Sequence, residues 1–264
     1  MAIEEQLTLP SRGIIYPEMA GSESVTITPY KSKAYRDFLS SGYTPAAMNK
    51  LIDTCLVDCP LRASDLHPSD WSAVMFKIRA MTLGAGIDMD VSCPFCNTRQ
   101  SVTWDLSSMS VRYFSPKQYP FALTLPKSGE TVYVSVVTPK MTERAKDTAK
   151  QRAQKFGSDP QPLIDAYTFV CNLSKPGLDI IGMVDWYDNL PVSDSVYITR
   201  ALVKINDFGL DTRRWFECRS CGKNMSVTLE LDDYFFLPDV GEFRGAETET
   251  GTLEGGIAAA GDAE

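Results

Sequence analysis

The sequence predicts an α+β fold made of two related modules from a tandem duplication, 1–115 and 116–238, followed by an acidic Gly/Ala-rich tail, 239–264. Three observations lead there. Short blocks recur in one order, helical and alternating apolar patterns follow one another within each copy, and each copy closes on a Cys-x-x-Cys pair.

The first block, Leu7-Thr8-Leu9-Pro10-Ser11-Arg12-Gly13, returns as Leu123-Thr124-Leu125-Pro126-Lys127-Ser128-Gly129. Thr28-Pro29 ends a β-branched run that includes Val25 and Ile27, and Thr138-Pro139 ends another with Val134, Val136 and Val137. Leu51-Ile52-Asp53 with Cys59 is matched by Leu163-Ile164-Asp165 with Cys171. Cys93-Pro94-Phe95-Cys96, then Ser101-Val102-Thr103 and Leu106, is answered by Cys218-Arg219-Ser220-Cys221, then Ser226-Val227-Thr228 and Leu231, at a constant offset of 125 residues. Across the blocks the offset drifts through 116, 110, 112 and 125, as insertions into loops would cause, the largest around Lys175–Leu190.

Each copy should therefore run from an extended Leu-Thr-Leu-Pro segment through a glycine turn into a strand. Two helices follow, near 31–40 and 45–58 in the first copy and 140–156 and 160–172 in the second. A further helix leads to the cysteines. In the first copy Ser69 is the expected cap, Trp71, Val74, Met75, Ile78 and Met81 form the stripe, and Gly84 closes it. In the second, Asp194 is the expected cap, with Ile198, Ala201, Leu202, Ile205 and Phe208 on one face and Gly209 at the end.

Lys and Arg number 26 against 34 Asp and Glu, a net charge of −8. Residues 239–264 hold seven acids and one base, Arg244, so the body is near neutral. Such a body does not suit a general phosphate-backbone binder, which needs a basic stripe to release counterions. The tail reads as a solvated segment with few bulky apolar residues. The N-terminus lacks a basic, apolar leader pattern, and no apolar run approaches the roughly 18 residues of a membrane span. A cytosolic site of synthesis is expected.

The single histidine, His67, reads as an ordinary loop residue before Pro68 and leaves little room for a Ser/His/Asp triad or a multi-histidine centre. Asp88/Asp90 and Asp232/Asp233 read as exposed strand and turn residues, and Gly-rich phosphate loops are missing.

Seven cysteines with two Cys-x-x-Cys pairs in a chain of this kind point to metal before disulfides. Ile87, Met89 and Val91 alternate into the first pair, and Val102, Trp104 and Leu106 leave it. Trp215 and Phe216 enter the second, and Val227, Leu229 and Leu231 leave it. Two residues between sulfurs let a tight turn aim both at one ion, so Cys93, Cys96, Cys218 and Cys221 are the expected ligands of a closed, structural Zn²⁺ site with no open position for substrate. Shared by both pairs, one zinc would pin the copies across the 121 residues between Cys96 and Cys218. Two separate sites completed between chains would use the same ligands. Cys55, Cys59 and Cys171 read as core residues, with Cys55 and Cys59 on one helical face. A redox dithiol would place its pair at a helix N-terminus, whereas polar residues and a strand pattern follow each pair here. Arg213, Arg214, Arg219 and Lys223 crowd the second pair, so a zinc-ribbon nucleic-acid-binding accessory protein is the alternative. Asp211 and Glu217 dilute that patch, and Trp215, Phe216, Tyr234, Phe235 and Phe236 read as packing residues.

The stretch Phe76-Lys77-Ile78-Arg79-Ala80-Met81-Thr82-Leu83-Gly84, then Ile87 to Cys96 and Val102-Thr103-Trp104-Asp105-Leu106, resembles the baseplate hub assembly proteins of T-even-type contractile-tailed phages. Met48–Cys55, Val134–Pro139 and Leu9-Pro10-Ser11-Arg12-Gly13-Ile14-Ile15-Tyr16-Pro17 fit the same family order. The resemblance covers about residues 7–140 and extends further through the internal repeat. It implies a non-enzymatic structural component or assembly factor of a tail baseplate hub, located in the virion tail baseplate and assembled in the host cytoplasm. Its partners would be other phage tail and baseplate proteins in a hetero-oligomeric assembly. Of the site residues, the resemblance carries over the cysteines alone, as metal ligands.

Overall fold

The structure is a computed structural model that describes residues 3–229 and Phe235. The acidic tail, Tyr234, Phe236 and the Asp232/Asp233 pair lie outside the described residues.

The chain begins with β1 (Glu5–Thr8) and β2 (Ser24–Ile27), passes through α1 (Ser32–Ser41) and α2 (Pro45–Asp53), and adds β3 (Leu56–Val57) to give an antiparallel sheet of order β1-β2-β3. Next come α3 (Pro68–Leu83), the hairpin β4 (Gly86–Ser92) and β5 (Arg99–Asp105), and the short β6 (Val111–Arg112). The second half repeats this order with β7 (Phe121–Thr124), β8 (Thr131–Val134), α4 (Pro139–Phe156), α5 (Gln161–Val170) and β9 (Leu173–Ser174), again a sheet of order β7-β8-β9. An extra helix, α6 (Ile180–Asp188), occupies the long insertion before α7 (Val192–Ile205), β10 (Gly209–Leu210) and the hairpin β11 (Arg213–Glu217) and β12 (Asn224–Thr228).

The pairing registers of the two sheets correspond. Leu7 faces Val25 and Ile27 faces Leu56, as Leu123 faces Val132 and Val134 faces Leu173. Beyond the strands, the amide of Leu9 reaches the carbonyl of Glu23, and that of Leu125 reaches Glu130. The Leu-Thr-Leu segments lie along edge strands, and Leu9 and Leu125 are buried. Register also corrects two of the expected equivalences. Cys55 and Asn172 accept from the amides of Thr28 and Ser135, so Cys59 does not correspond to Cys171, nor Thr28-Pro29 to Thr138-Pro139.

The second helix of each pair is shorter than the apolar pattern suggests. α2 ends at Asp53, where the Thr54 hydroxyl donates to the Leu51 carbonyl, and the β-branched and apolar Leu56 and Val57 pair with the sheet instead. Cys55 and Cys59 are therefore not on one helical face. α5 similarly stops at Val170 before β9.

Both expected caps of the third helices belong to other residues. His67 is the N-cap of α3, its Nδ1 accepting from the Ser69 amide at 3.2 Å, with Pro68 at the first helical position where its missing N–H costs nothing. His67 is thus a buried cap whose ring stacks on Phe208 at 4.9 Å, and burial holds its pKa below the ordinary histidine value. The Ser69 hydroxyl donates instead to the Phe208 carbonyl, 2.8 Å away. Phe208 lies beyond the end of α7.

Asp194 is the third residue of α7, and Asp70 is the third residue of α3. Each carboxylate is buried and accepts from the turn after its edge strand: Asp70 from the Ser11 amide (2.8 Å) and the Tyr16 hydroxyl (2.7 Å), Asp194 from the amides of Lys127 (2.8 Å) and Ser128 (2.9 Å). A carboxylate in the first helical turn also faces the positive end of the helix dipole. Tyr16 completes the first network by accepting from the His67 amide at 2.6 Å.

The largest core lies around the first sheet and α3 and includes Val136, Phe208, Leu229 and Phe235 from the second half. A smaller core lies between the second sheet, α6 and α7. β10 pairs with β6 across the halves, and Arg79, buried on α3, donates from Nε to the Phe235 carbonyl at 3.1 Å.

Removing one hydroxyl tests the first network. Tyr16→Phe leaves the His67 amide without its acceptor and removes a donor from Asp70, and should cost about 1–3 kcal/mol in urea unfolding at pH 7. Gly13 has φ +67°, and a Cβ there would stand 2.1 Å from the Ser22 carbonyl oxygen, whereas one at Gly21 (φ +88°) meets open space. Gly13→Ala should cost about 3 kcal/mol or more and Gly21→Ala only about 1–2, the backbone strain alone.

Burial tends to raise the pKa of Asp194, but the Lys127 and Ser128 hydrogen bonds and the Lys127 charge outweigh it and hold the carboxyl below its usual range. Its stabilising contribution is complete above the unfolded value near 4 and is lost as pH falls through the folded pKa. Asp194→Asn should therefore lower the urea midpoint at pH 7, and the gap from the parent chain should narrow at pH 3.

Candidate metal centre

Each Cys-x-x-Cys pair sits on the turn of a two-stranded hairpin, β4–β5 or β11–β12. The turns have the same wiring. The Cys93 amide bonds to the Thr98 carbonyl (3.0 Å) and the Asn97 amide to the Cys93 carbonyl (2.9 Å), while the Cys218 amide bonds to Lys223 (2.9 Å) and the Gly222 amide to Cys218 (2.8 Å). Asn97 (φ 58°) and Gly222 (φ 69°) take the left-handed conformation that turns the chain back after the second cysteine, which is why Asn and Gly stand there.

The hairpins bring Cys93, Cys96, Cys218 and Cys221 together, with all four sulfurs within 4.8 Å of one another. The Sγ atoms of Cys93 and Cys221 are 3.8 Å apart and those of Cys96 and Cys218 are 3.6 Å apart. These distances are far beyond a disulfide bond of ~2.05 Å. They match the edge of about 3.8 Å expected for a sulfur tetrahedron around an ion with metal–sulfur bonds of ~2.3 Å. The donor set thus fits a tetrahedral thiophilic cation such as zinc.

Cys93 and Cys218 are buried and Cys96 and Cys221 exposed, so the cluster has an inner and an outer side. Met225 packs beneath it with Val91, Phe216 and Val227. The Thr98 hydroxyl, 3.4 Å from Cys96 Sγ, and the Thr98 backbone stabilise the Cys96 thiolate and lower its pKa to about 6. At Cys221 the Lys223 backbone favours the thiolate, but desolvation and the neighbouring sulfurs prevail and push the thiol up to about 11. Cys96 and Cys221 are thus shifted in opposite directions, and a divalent cation held by the sulfurs would favour their thiolate forms.

Gln100, which the sequence reading passed over, bridges the hairpins beside the cluster. Its Oε1 accepts from the Arg219 amide (3.0 Å) and its Nε2 donates to the Glu217 carbonyl (3.4 Å). A lone half-buried glutamine in a strand carries no motif that would have revealed this. The repeated Asn97 and Gly222, each just after a second cysteine, are a signal that was present in the sequence.

The remaining cysteines stand apart from the cluster. The Cys55 thiol is buried and donates to Leu51, and that of Cys171 is half-buried and donates to Thr168. Asp88 accepts from the Thr103 hydroxyl at 2.6 Å and Asp90 pairs with Arg99 at 2.9 Å, both exposed on β4.

The aromatic residues near the second pair divide. Phe216 packs beside Trp104 and Phe235 lies in the core, but Trp215 is 69% exposed because it occupies the outward side of β11, which corrects its assignment as a packing residue. Phe95, 56% exposed at the first turn, lies under the Lys223 ammonium.

Among the described residues no helix is long and apolar enough to cross a membrane. No curated protein and no solved structure matches the chain. The family model described as T4 bacteriophage base plate protein matches residues 6–237, nearly the whole described fold and both cysteine hairpins. On that extent of match, the chain belongs to the T4 bacteriophage base plate protein family.

Proposed function

We propose that the chain is a non-enzymatic structural component or assembly factor of the tail baseplate hub, in which one zinc ion held by Cys93, Cys96, Cys218 and Cys221 clamps two duplicated modules, 1–115 and 116–238. The observation that carries this reading is the convergence of four sulfurs from hairpins 125 residues apart in sequence. Matching strand registers and the paired Asp70 and Asp194 contacts support the duplication.

The ion would supply cross-linking and charge neutralisation. With four protein ligands it has no vacant position for substrate, which favours a brace over a catalyst. Structural zinc in small peptides contributes about 10–16 kcal/mol, well above the roughly 1.5–3 of a buried leucine, so such a clamp would dominate the contact between hairpins. Each cysteine turn is followed by a strand and not by a helix, which disfavours a redox dithiol.

A brace of this kind holds neighbouring surfaces rigid for other tail proteins. Exposed Trp215 and Phe95 are suited to anchor such contacts, and the edge strands β1 and β7 offer backbone pairing. Family membership supports a place in the virion baseplate. Assembly in the host cytoplasm before incorporation is part of the same proposal.

Exposed Arg213 beside Trp215 favours one second reading, a nucleic-acid accessory role. It is weakened because Arg213 pairs with Asp211, Arg214 donates to Ser108, and Lys223 lies over Phe95.

Elemental analysis of the purified chain should give about one zinc per monomer. Cys93→Ser and Cys218→Ser should each lose that metal and several kcal/mol of stability; full stability in both variants overturns the clamp. Mass spectrometry of proteins co-purifying with the native chain, and of finished particles, should find baseplate partners. Salt-dependent retention on DNA that vanishes on replacing Arg213, Arg214 and Arg219 by alanine would instead favour the nucleic-acid reading.

A further inference from the structure

Helix α7 turns Ile198 and Leu202 into the core of the second half and leaves an apolar stripe on its other side. Val192, Val196 and Val203 are 77%, 42% and 70% exposed, and Thr199 between them is exposed as well. None of the three valines joins a core among the described residues. β-branched side chains lose rotamer freedom in a helix, so four of them along a solvent-facing stripe cost helix stability that packing would offset. The corresponding side of α3 is covered by the chain itself. Counted from the third-position aspartate, Met75 and Arg79 stand where α7 has Thr199 and Val203, and both are buried.

The stripe is its own complement. Its members are spaced 4, 3 and 4 residues apart, the spacing of a coiled-coil seam, and the series reads the same from either end. In an antiparallel pair of α7 helices about a twofold axis, Val192 of one chain meets Val203 of the other and Val196 meets Thr199, so one patch serves both sides of an isologous contact. Ser193 and Arg200 flank the seam on one side and Ser195 and Leu202 on the other, each pair seven residues apart. Arg200 has no ion-pair partner among the described residues, and the antiparallel order sets it against Ser193 of the second copy. That order also opposes the two helix dipoles, which a parallel pair would align.

We infer that α7 is a homotypic docking surface, on which a second copy of this chain binds in antiparallel order across Val192, Val196, Thr199 and Val203. From Val192 to Val203 the seam runs about 16 Å along the helix. A contact of that length is smaller than a standard stable interface, so the dimer is reversible, with a Kd of about 10–100 μM. No residue of the cysteine hairpins takes part, so this contact and the zinc clamp stand or fall separately.

Sedimentation equilibrium of the full chain under reducing conditions, at loading concentrations from about 2 to 400 μM, should show monomer giving way to dimer in that range. Val196→Lys and Thr199→Glu, each at an exposed position, should leave the urea midpoint unchanged and each weaken dimerisation about tenfold or more by setting an unpaired charge in the seam. Mixed in equal amounts, the two variants should recover the parent affinity within about threefold, because the antiparallel order places the introduced ammonium of one chain against the introduced carboxylate of the other. A chain that stays monomeric throughout overturns the inference and leaves the stripe to a different protein. So does a dimer that both variants keep at parent affinity, which would place the contact elsewhere. Weakening in each variant without recovery in the mixture refutes the antiparallel seam.

Discussion

A carboxylate at the third position of a helix, buried against the turn that follows an edge strand, governs where each cysteine hairpin begins. Asp70 and Asp194 make this contact in the two halves. The consequence propagates along the chain, because α3 ends at Leu83, three residues before β4, and α7 is followed within a few residues by β10 and β11. Moving either helix along the turn would move a hairpin and separate sulfurs that now lie within 4.8 Å.

The two carboxylates do this work in different electrostatic settings. Asp70 lies within the large core beside Tyr16, and burial raises its pKa despite the hydrogen bonds from Ser11 and Tyr16. Asp194 faces two amides and the Lys127 charge, which outweigh burial and lower its pKa. The same carboxylate contact is therefore costly to ionise in one half and held ionised in the other, a difference set by neighbours and not by the helix.

At the far end of each hairpin the physical problem is the reverse, since four sulfurs are gathered where their charges repel. Backbone amides, the Thr98 hydroxyl and the Gln100 bridge hold the turns in place, yet none supplies a positive charge at the centre of the cluster. The proposed zinc answers that requirement with the ligand number and sulfur spacing present, and it explains why the hairpin turns are more alike than the helices preceding them.

The sequence by itself showed the main helices in order, the strands that flank each Cys-x-x-Cys turn and the four cysteines that meet. Cys-x-x-Cys turns and alternating strands are local, so their geometry follows from residues a few positions apart. It also made α7 legible as a helix through its apolar spacing. It did not determine where α2 and α5 stop, because Leu56 and Leu173 are apolar residues that fit a helix face until Ile27 and Val134 offer them a strand. Nor did it show that His67 rather than Ser69 caps α3, that Asp194 holds a distant turn, that Gln100 joins the hairpins, or that Trp215 faces outward. Each of those depends on partners brought together only by the packed chain: Phe208 draws the Ser69 hydroxyl away from the cap, and Phe216 takes the inward side of β11 from Trp215. Local periodicity decides which face of an element is apolar; tertiary contacts decide which competing hydrogen bond or strand partner that element finally accepts.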